Sequence, residues 1–112
     1  MKEAGLPRGV AHQLSSILRH YPDVQQLVLF GSRAQGTAHP ASDIDLAVWG
    51  IEDALRLEAL AVELDELPLP YKFDVKSYSS ISNPSLRTHI DRVGCVLYRA
   101  GETEYDRKPA LK

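Results

Sequence analysis

Apolar positions along the chain switch between helical and strand spacing, and each switch falls at a turn signal. From Pro7 to Arg19, Val10, Leu14, Ile17 and Leu18 share one helical face and Pro7 suits a first-turn position, so a helix is predicted that ends near Tyr21-Pro22. Val24 to Phe30 is rich in β-formers and stops at Gly31, the pattern of a buried strand running into a tight turn. Residues 33–42 hold Gly36, Pro40 and small polar groups, enough for a short helical turn and a loop. A second strand is expected from Asp43 to Trp49. Ile51 to Leu67 places Leu57, Leu60, Ala61 and Leu64 at helical spacing among acidic residues, and Pro68-Leu69-Pro70 ends it. Tyr71 to Ser77 alternates Tyr71, Phe73 and Val75 with Lys72, Asp74 and Lys76, which predicts a third strand with two unlike faces. Asn83-Pro84 reads as an N-cap and first helical position, opening a helix to about Val93 before Gly94, and Cys95 to Arg99 is a last short strand.

Composition narrows the class. The chain has 112 residues, 44% hydrophobic and 25% charged, so one compact domain with a real core is expected and broad disorder is not. The net charge of -2 and pI ≈ 6.0 provide no global basic field, so direct nucleic-acid binding is not expected. Cys95 is alone and the four histidines have no zinc-ligand spacing, so neither an internal disulfide nor a zinc site is expected. No signal peptide is visible and no apolar run approaches the roughly 20 residues that cross a bilayer, which leads us to expect a cytoplasmic protein without membrane contact.

One stretch does not fit a purely structural purpose: "LVLFGSRAQGTAHPASDIDLAVW", residues 27–49. Asp43 and Asp45 are one residue apart, so in a strand they project side by side while Ile44, Leu46 and Val48 face the core. Adjacent carboxylates repel unless a cation sits between them, and magnesium is the natural candidate, typically held by one or two carboxylates and substrate phosphates. Gly31-Ser32 at the end of the preceding strand offers backbone N–H groups, a hydroxyl and room for a phosphate to approach closely. Asp74, on the charged face of the third strand, would complete the carboxylate set of a two-metal site.

Gly31-Ser32, ten intervening residues and Asp43-Ile44-Asp45 resemble the signature of the nucleotidyltransferase superfamily of DNA polymerase β. The closeness of "GSRAQGTAHPASDIDLAV" and the short chain resemble, more narrowly, the minimal nucleotidyltransferase (MNT) antitoxins that pair with HEPN-domain toxins; the likeness covers about residues 10–99. The resemblance implies an α/β (α+β) fold, a mixed sheet flanked by helices, with residues 1–100 as the nucleotidyltransferase domain; from Gly101 on the chain is polar, with Lys108-Pro109, so a flexible tail is expected over 101–112. The resemblance also implies ATP as donor, two magnesium ions, and transfer of AMP to a hydroxyl. Carried over by position, Asp43, Asp45 and Asp74 are metal ligands and catalytic residues, Gly31 and Ser32 hold the triphosphate, and Arg33 is a further nucleotide contact. Many relatives have a second basic residue where this chain has Gln35. The acceptor implied is a tyrosine of a partner HEPN toxin in a hetero-oligomer, neutralised by adenylylation.

Other readings stay open at this point. An isolated Asp-x-Asp is a common surface feature, Asp74 can belong to a solvated face with Lys72 and Lys76, and Arg33 and His39 can be ordinary loop residues. Trp49 fits the core or a sheet edge, and Cys95 a buried small hydrophobe. The function can instead be that of a module that silences a HEPN partner by occlusion, or of a free-standing transferase acting on a small alcohol.

Overall fold

The computed structural model describes residues 5–39 and 42–101. Four strands and four helices alternate along it: α1 Val10–Leu18, β1 Gln26–Phe30, α2 Ser32–Gln35, β2 Ile44–Trp49, α3 Ala54–Asp65, β3 Phe73–Ser77, α4 Pro84–Val93 and β4 Cys95–Arg99, with a single 3-10 turn at Tyr78–Ser80. The sheet order is β3-β2-β1-β4. β1 pairs antiparallel with β2 and with β4, whereas β2 and β3 are parallel. A parallel neighbour needs a crossover that a tight turn cannot provide, and α3 supplies it. The mixed sheet flanked by helices is therefore the fold, as the resemblance implied.

Alternation along the strands gives the sheet two apolar faces. Leu27, Leu29, Ile44, Leu46, Val48 and Leu97 pack in one cluster with Val10, Leu14 and Ile17 of α1 and Leu60 and Leu64 of α3. Val28, Phe30 and Ala47 face the other way and are covered by Ile81 and by Ile90 of α4. Full burial of each large aliphatic side chain contributes roughly 1.5–3 kcal/mol, so these two layers supply most of the stability. The helix ends follow the sequence signals: Asn83 Oδ1 accepts from the N–H of Ser85 at 2.9 Å with Pro84 at the first helical position, and Asp53 Oδ1 accepts from the N–H of Leu55 at 3.0 Å.

Some boundaries differ from expectation. The second strand begins at Ile44, so Asp43 stands just outside it and is exposed. β1 begins at Gln26, two residues later than expected, because Val24 is taken up in a turn that bonds back to Tyr21. α1 begins at Val10 behind a left-handed Gly9, so Pro7 precedes the helix and its carbonyl accepts from the Val10 N–H at 3.2 Å. The third strand starts at Phe73, not Tyr71, and Cys95 is half-buried against the core, not enclosed in it. The tail expected from Gly101 lies, from residue 102 on, outside the described residues. Among those described, no helix is long and apolar enough to cross a membrane.

Candidate functional site

The central strand β1 delivers the chain to Gly31 at the end of the sheet. Gly31 adopts φ 76 and ψ -157, a region that side-chain-bearing residues avoid, and from it Ser32 opens the single turn of α2. Phe30, the residue before, pairs with Asp45 across the antiparallel ladder. The glycine consequently lies directly against Asp45: a Cβ at position 31 would collide with the Asp45 Oδ2 and would lie 3.2 Å from its carboxyl carbon. The Gly-Ser turn and the second aspartate of the pair, fourteen residues apart in sequence, form one unit.

β3 adds the third carboxylate. Asp45 and Asp74 are direct partners in the parallel register, so both lie on the α4 face of the sheet. Asp45 is partly buried there, and its pKa is pushed up, first by burial and then by the negative charges of Asp74 and Asp43. Lys76 and His89 pull it back down. Lys76 Nζ lies 3.7 Å from Asp74 Oδ2, with both side chains well exposed. The His89 ring stands edge-on to Phe30 at 6.2 Å between centroids. Neither Lys76 nor His89 carries a motif signal; only the pairing of β2 with β3 and the packing of α4 reveal them.

Arg33, the further candidate, is engaged in holding the loop. Its Nη2 donates to the Ser42 carbonyl at 2.9 Å and its guanidinium lies 5.3 Å from the centre of the Tyr71 ring. These contacts anchor the residue before Asp43 to the segment entering β3, so Arg33 positions the first aspartate as it stands. Among the described residues no three His, Cys, Asp or Glu side chains converge closely enough to form a ready-made metal centre. The β2–β3 register makes Asp45 and Asp74 neighbours, Asp43 precedes β2 close enough for its charge to act on Asp45, and Asp74 rests on Lys76. Three carboxylates sharing one repulsive field and offering only oxygen ligands suit a hard divalent ion such as magnesium.

The raised Asp45 carboxyl has a consequence for stability. A group that holds its proton more tightly when folded makes the fold less stable as pH rises from the ordinary aspartate value through the raised one. Ionised Asp45 is thus a destabilising charge at neutral pH. In EDTA at pH 7, Asp45→Asn is expected to melt at a higher temperature than the native chain, with the difference closing as Asp45 becomes protonated. A lower melting temperature for Asp45→Asn at pH 7 would contradict this electrostatic picture.

Comparison with known proteins shows the family and the fold. The family model described as Polymerase beta, Nucleotidyltransferase matches residues 12–103. No curated protein matches the chain. Among solved structures, a chain of a toxin–antitoxin complex with AMP-PNP is 29% identical with a TM-score of 0.67, over 90% of this chain and 81% of that one. A chain of a MntA–HpeT toxin–antitoxin mutant is 25% identical with a TM-score of 0.65, over 90% and 80%. A third, from the tri-AMPylated Shewanella oneidensis HEPN toxin in complex with MNT antitoxin, is 24% identical with a TM-score of 0.60, over 88% and 75%.

Proposed function

Because the chain belongs to the polymerase β nucleotidyltransferase family, we propose that it transfers AMP from ATP to a hydroxyl, a tyrosine of a partner HEPN toxin, and thereby acts as an antitoxin. The observation that carries this is the contact of the Gly31 turn with Asp45, itself held in the field of Asp74 and Asp43. Likeness to toxin–antitoxin complexes at 29% and 25% identity, the former with AMP-PNP, supports the partner and the nucleotide.

In this reading the Ser32 hydroxyl and the backbone N–H groups of the Gly31-Ser32 turn hold the terminal phosphates of ATP. Asp43 and Asp45 hold the magnesium that accompanies them, and Asp74 joins them beside the attacking hydroxyl. A magnesium ion held by these carboxylates would supply Lewis acidity to that hydroxyl and offset charge on the leaving phosphates. The acceptor oxygen bonds to the α-phosphorus as the bond from that phosphorus to the bridging oxygen of the β-phosphate breaks. Pyrophosphate leaves, and the hydroxyl proton passes to the Asp74 carboxylate. Lys76 must release Asp74 for this, which the exposure of their 3.7 Å pair permits.

Nucleotide and magnesium should bind as a unit, since the carboxylates repel without a cation and the triphosphate supplies the remaining oxygens. Calorimetry with ATP is expected to show binding in magnesium and little in EDTA. A ligand at 100 times its Kd adds about 2.7 kcal/mol to stability, so the melting temperature should rise with ATP only when magnesium is present. Equal ATP affinity in magnesium and in EDTA would rule out this site.

A further inference from the structure

Between α2 and α4 lies a cavity of about 290 Å³, lined by Gln35, Ser85, Thr88, His89, Arg92 and Val93. Ser85, Thr88, His89 and Arg92 fall at i, i+3, i+4 and i+7 along α4 and so form one stripe of the helix. Every polar side chain in the lining can donate a hydrogen bond, and none is a carboxylate. Arg92 is exposed, and among the described residues it makes neither a hydrogen bond nor an ion pair. A positive charge in the last turn of a helix suits the dipole, which by itself would explain Arg92. The dipole does not account for the donors gathered around it.

The cavity adjoins the Gly-Ser turn on the α4 side of the sheet. Through their pairings Asp74, Asp45 and Phe30 form a row across β3, β2 and β1, with neighbouring strands about 4.8 Å apart. The His89 ring meets Phe30 edge-on and its charge acts on Asp45, so His89 joins this row to the cavity. On the other wall, Gln35 follows Ser32 by three residues in α2, about 4.5 Å along the helix axis, which sets the two side chains on adjoining faces. Gln35 is neutral, so the positive charge of the cavity comes from α4. A triphosphate with its α-phosphorus at Asp45 and its chain running over the Gly31-Ser32 turn heads for this cavity, away from Asp74.

We propose that Arg92 and His89 form a terminal-phosphate subsite, which makes the chain selective for nucleoside triphosphates over monophosphates and holds the pyrophosphate as it leaves. This rests on the transfer reading above and adds to the Gly-Ser turn a second phosphate-binding wall, supplied by α4. A terminal phosphate exposes a full set of acceptor oxygens. The Ser32 turn meets one side of it, and the planar fork of the Arg92 guanidinium matches another. Ser85, Thr88 and Gln35 have donors for the oxygens that remain. A nucleobase needs apolar walls, and Val93 is the only apolar residue in the lining. A phosphodiester, such as an AMP unit already joined to a partner, offers fewer free oxygens and less charge.

Calorimetry in magnesium tests this with ATP, AMP and pyrophosphate on the native chain, Arg92→Gln, Arg92→Lys and Ser85→Glu. Ser85 is the second residue of α4, where the helix dipole favours an acidic side chain, so Ser85→Glu brings a repelling charge into the cavity without harm to the fold. Arg92→Gln and Ser85→Glu are each expected to weaken ATP and pyrophosphate at least about tenfold and to leave AMP unchanged. Tenfold is the low end for a bond to a charged group, since Arg92 is exposed. Arg92→Lys keeps the charge and should recover most of the ATP affinity. Pyrophosphate added to the native chain should also shift the amide resonances of Gln35, Thr88 and Arg92. ATP bound at native affinity by both Arg92→Gln and Ser85→Glu overturns the subsite, as does an equal loss for AMP. Unchanged ATP affinity with a slower second AMP addition to the toxin would give the cavity to the phosphodiester of the modified partner and overturn it as well. If the native chain adds no AMP at all, the transfer reading fails separately, and the ATP and pyrophosphate affinities still decide whether Arg92 holds a terminal phosphate.

Discussion

Gly31→Ala is expected to abolish ATP binding and to lower the stability of the chain by about 1–3 kcal/mol, the usual range for a residue forced into a sparsely populated backbone region. The two effects have separate origins. The loss of stability comes from φ 76 and ψ -157, a conformation open to glycine. The loss of binding comes from the new methyl group, which would occupy the place of the Asp45 carboxylate and push it off the Gly-Ser turn. Gly36→Ala separates them, since Gly36 also has positive φ, 78, but a Cβ there meets nothing within 4 Å. That variant should lose stability, of order 1 kcal/mol, and still bind ATP. Calorimetry and thermal melting of the two variants side by side make the comparison, with about 4–8 °C expected per kcal/mol in a domain of this size. ATP binding by Gly31→Ala at native affinity would mean that the turn and Asp45 do not form one site.

Asp74→Asn carries the second large effect. The amide keeps the shape of the side chain but removes the charge facing Asp45 and the ion pair with Lys76. Asp43 and Asp45 remain to hold the ion that travels with ATP, so nucleotide affinity should stay near native. The acceptor proton then lacks its carboxylate, and transfer should fall by about 10²–10⁴-fold, the range for loss of a general base. Single-turnover measurement of AMP transfer, paired with ATP titration, reads both quantities. Transfer at the native rate would remove Asp74 from the chemistry.

Much of this site is legible in the sequence because its two halves sit on local signals. The apolar run ending at Gly31 marks the end of β1, and the alternation around Ile44, Leu46 and Val48 sets which way Asp45 points. Asn83-Pro84 and Gly94 frame α4 as expected. Long-range pairing accounts for what is not legible. Ile44 begins β2 because it pairs with Phe73 and its N–H donates to the Lys72 carbonyl at 2.8 Å, and that choice leaves Asp43 outside the ladder. The register of Asp45 against Asp74 joins residues 29 positions apart, and no spacing in the chain fixes it. The bond from Arg33 to the Ser42 carbonyl likewise joins residues nine positions apart that no local signal pairs. The α4 face of the sheet reads as charged at Asp45 but is closed two residues on by Ala47 under Ile81 and Ile90, so the open site is confined to one end of the strands.

The central proposal is that these carboxylates transfer AMP to the partner, as opposed to silencing it by contact alone. The most direct measurement is the intact mass of the partner HEPN toxin after incubation with ATP, magnesium and either the native chain or Asp43→Asn. The expected result is mass added in whole AMP units with the native chain and none with Asp43→Asn. No added mass with the native chain, together with a toxin that Asp43→Asn still silences in cells, would contradict the proposal and leave occlusion as the mechanism.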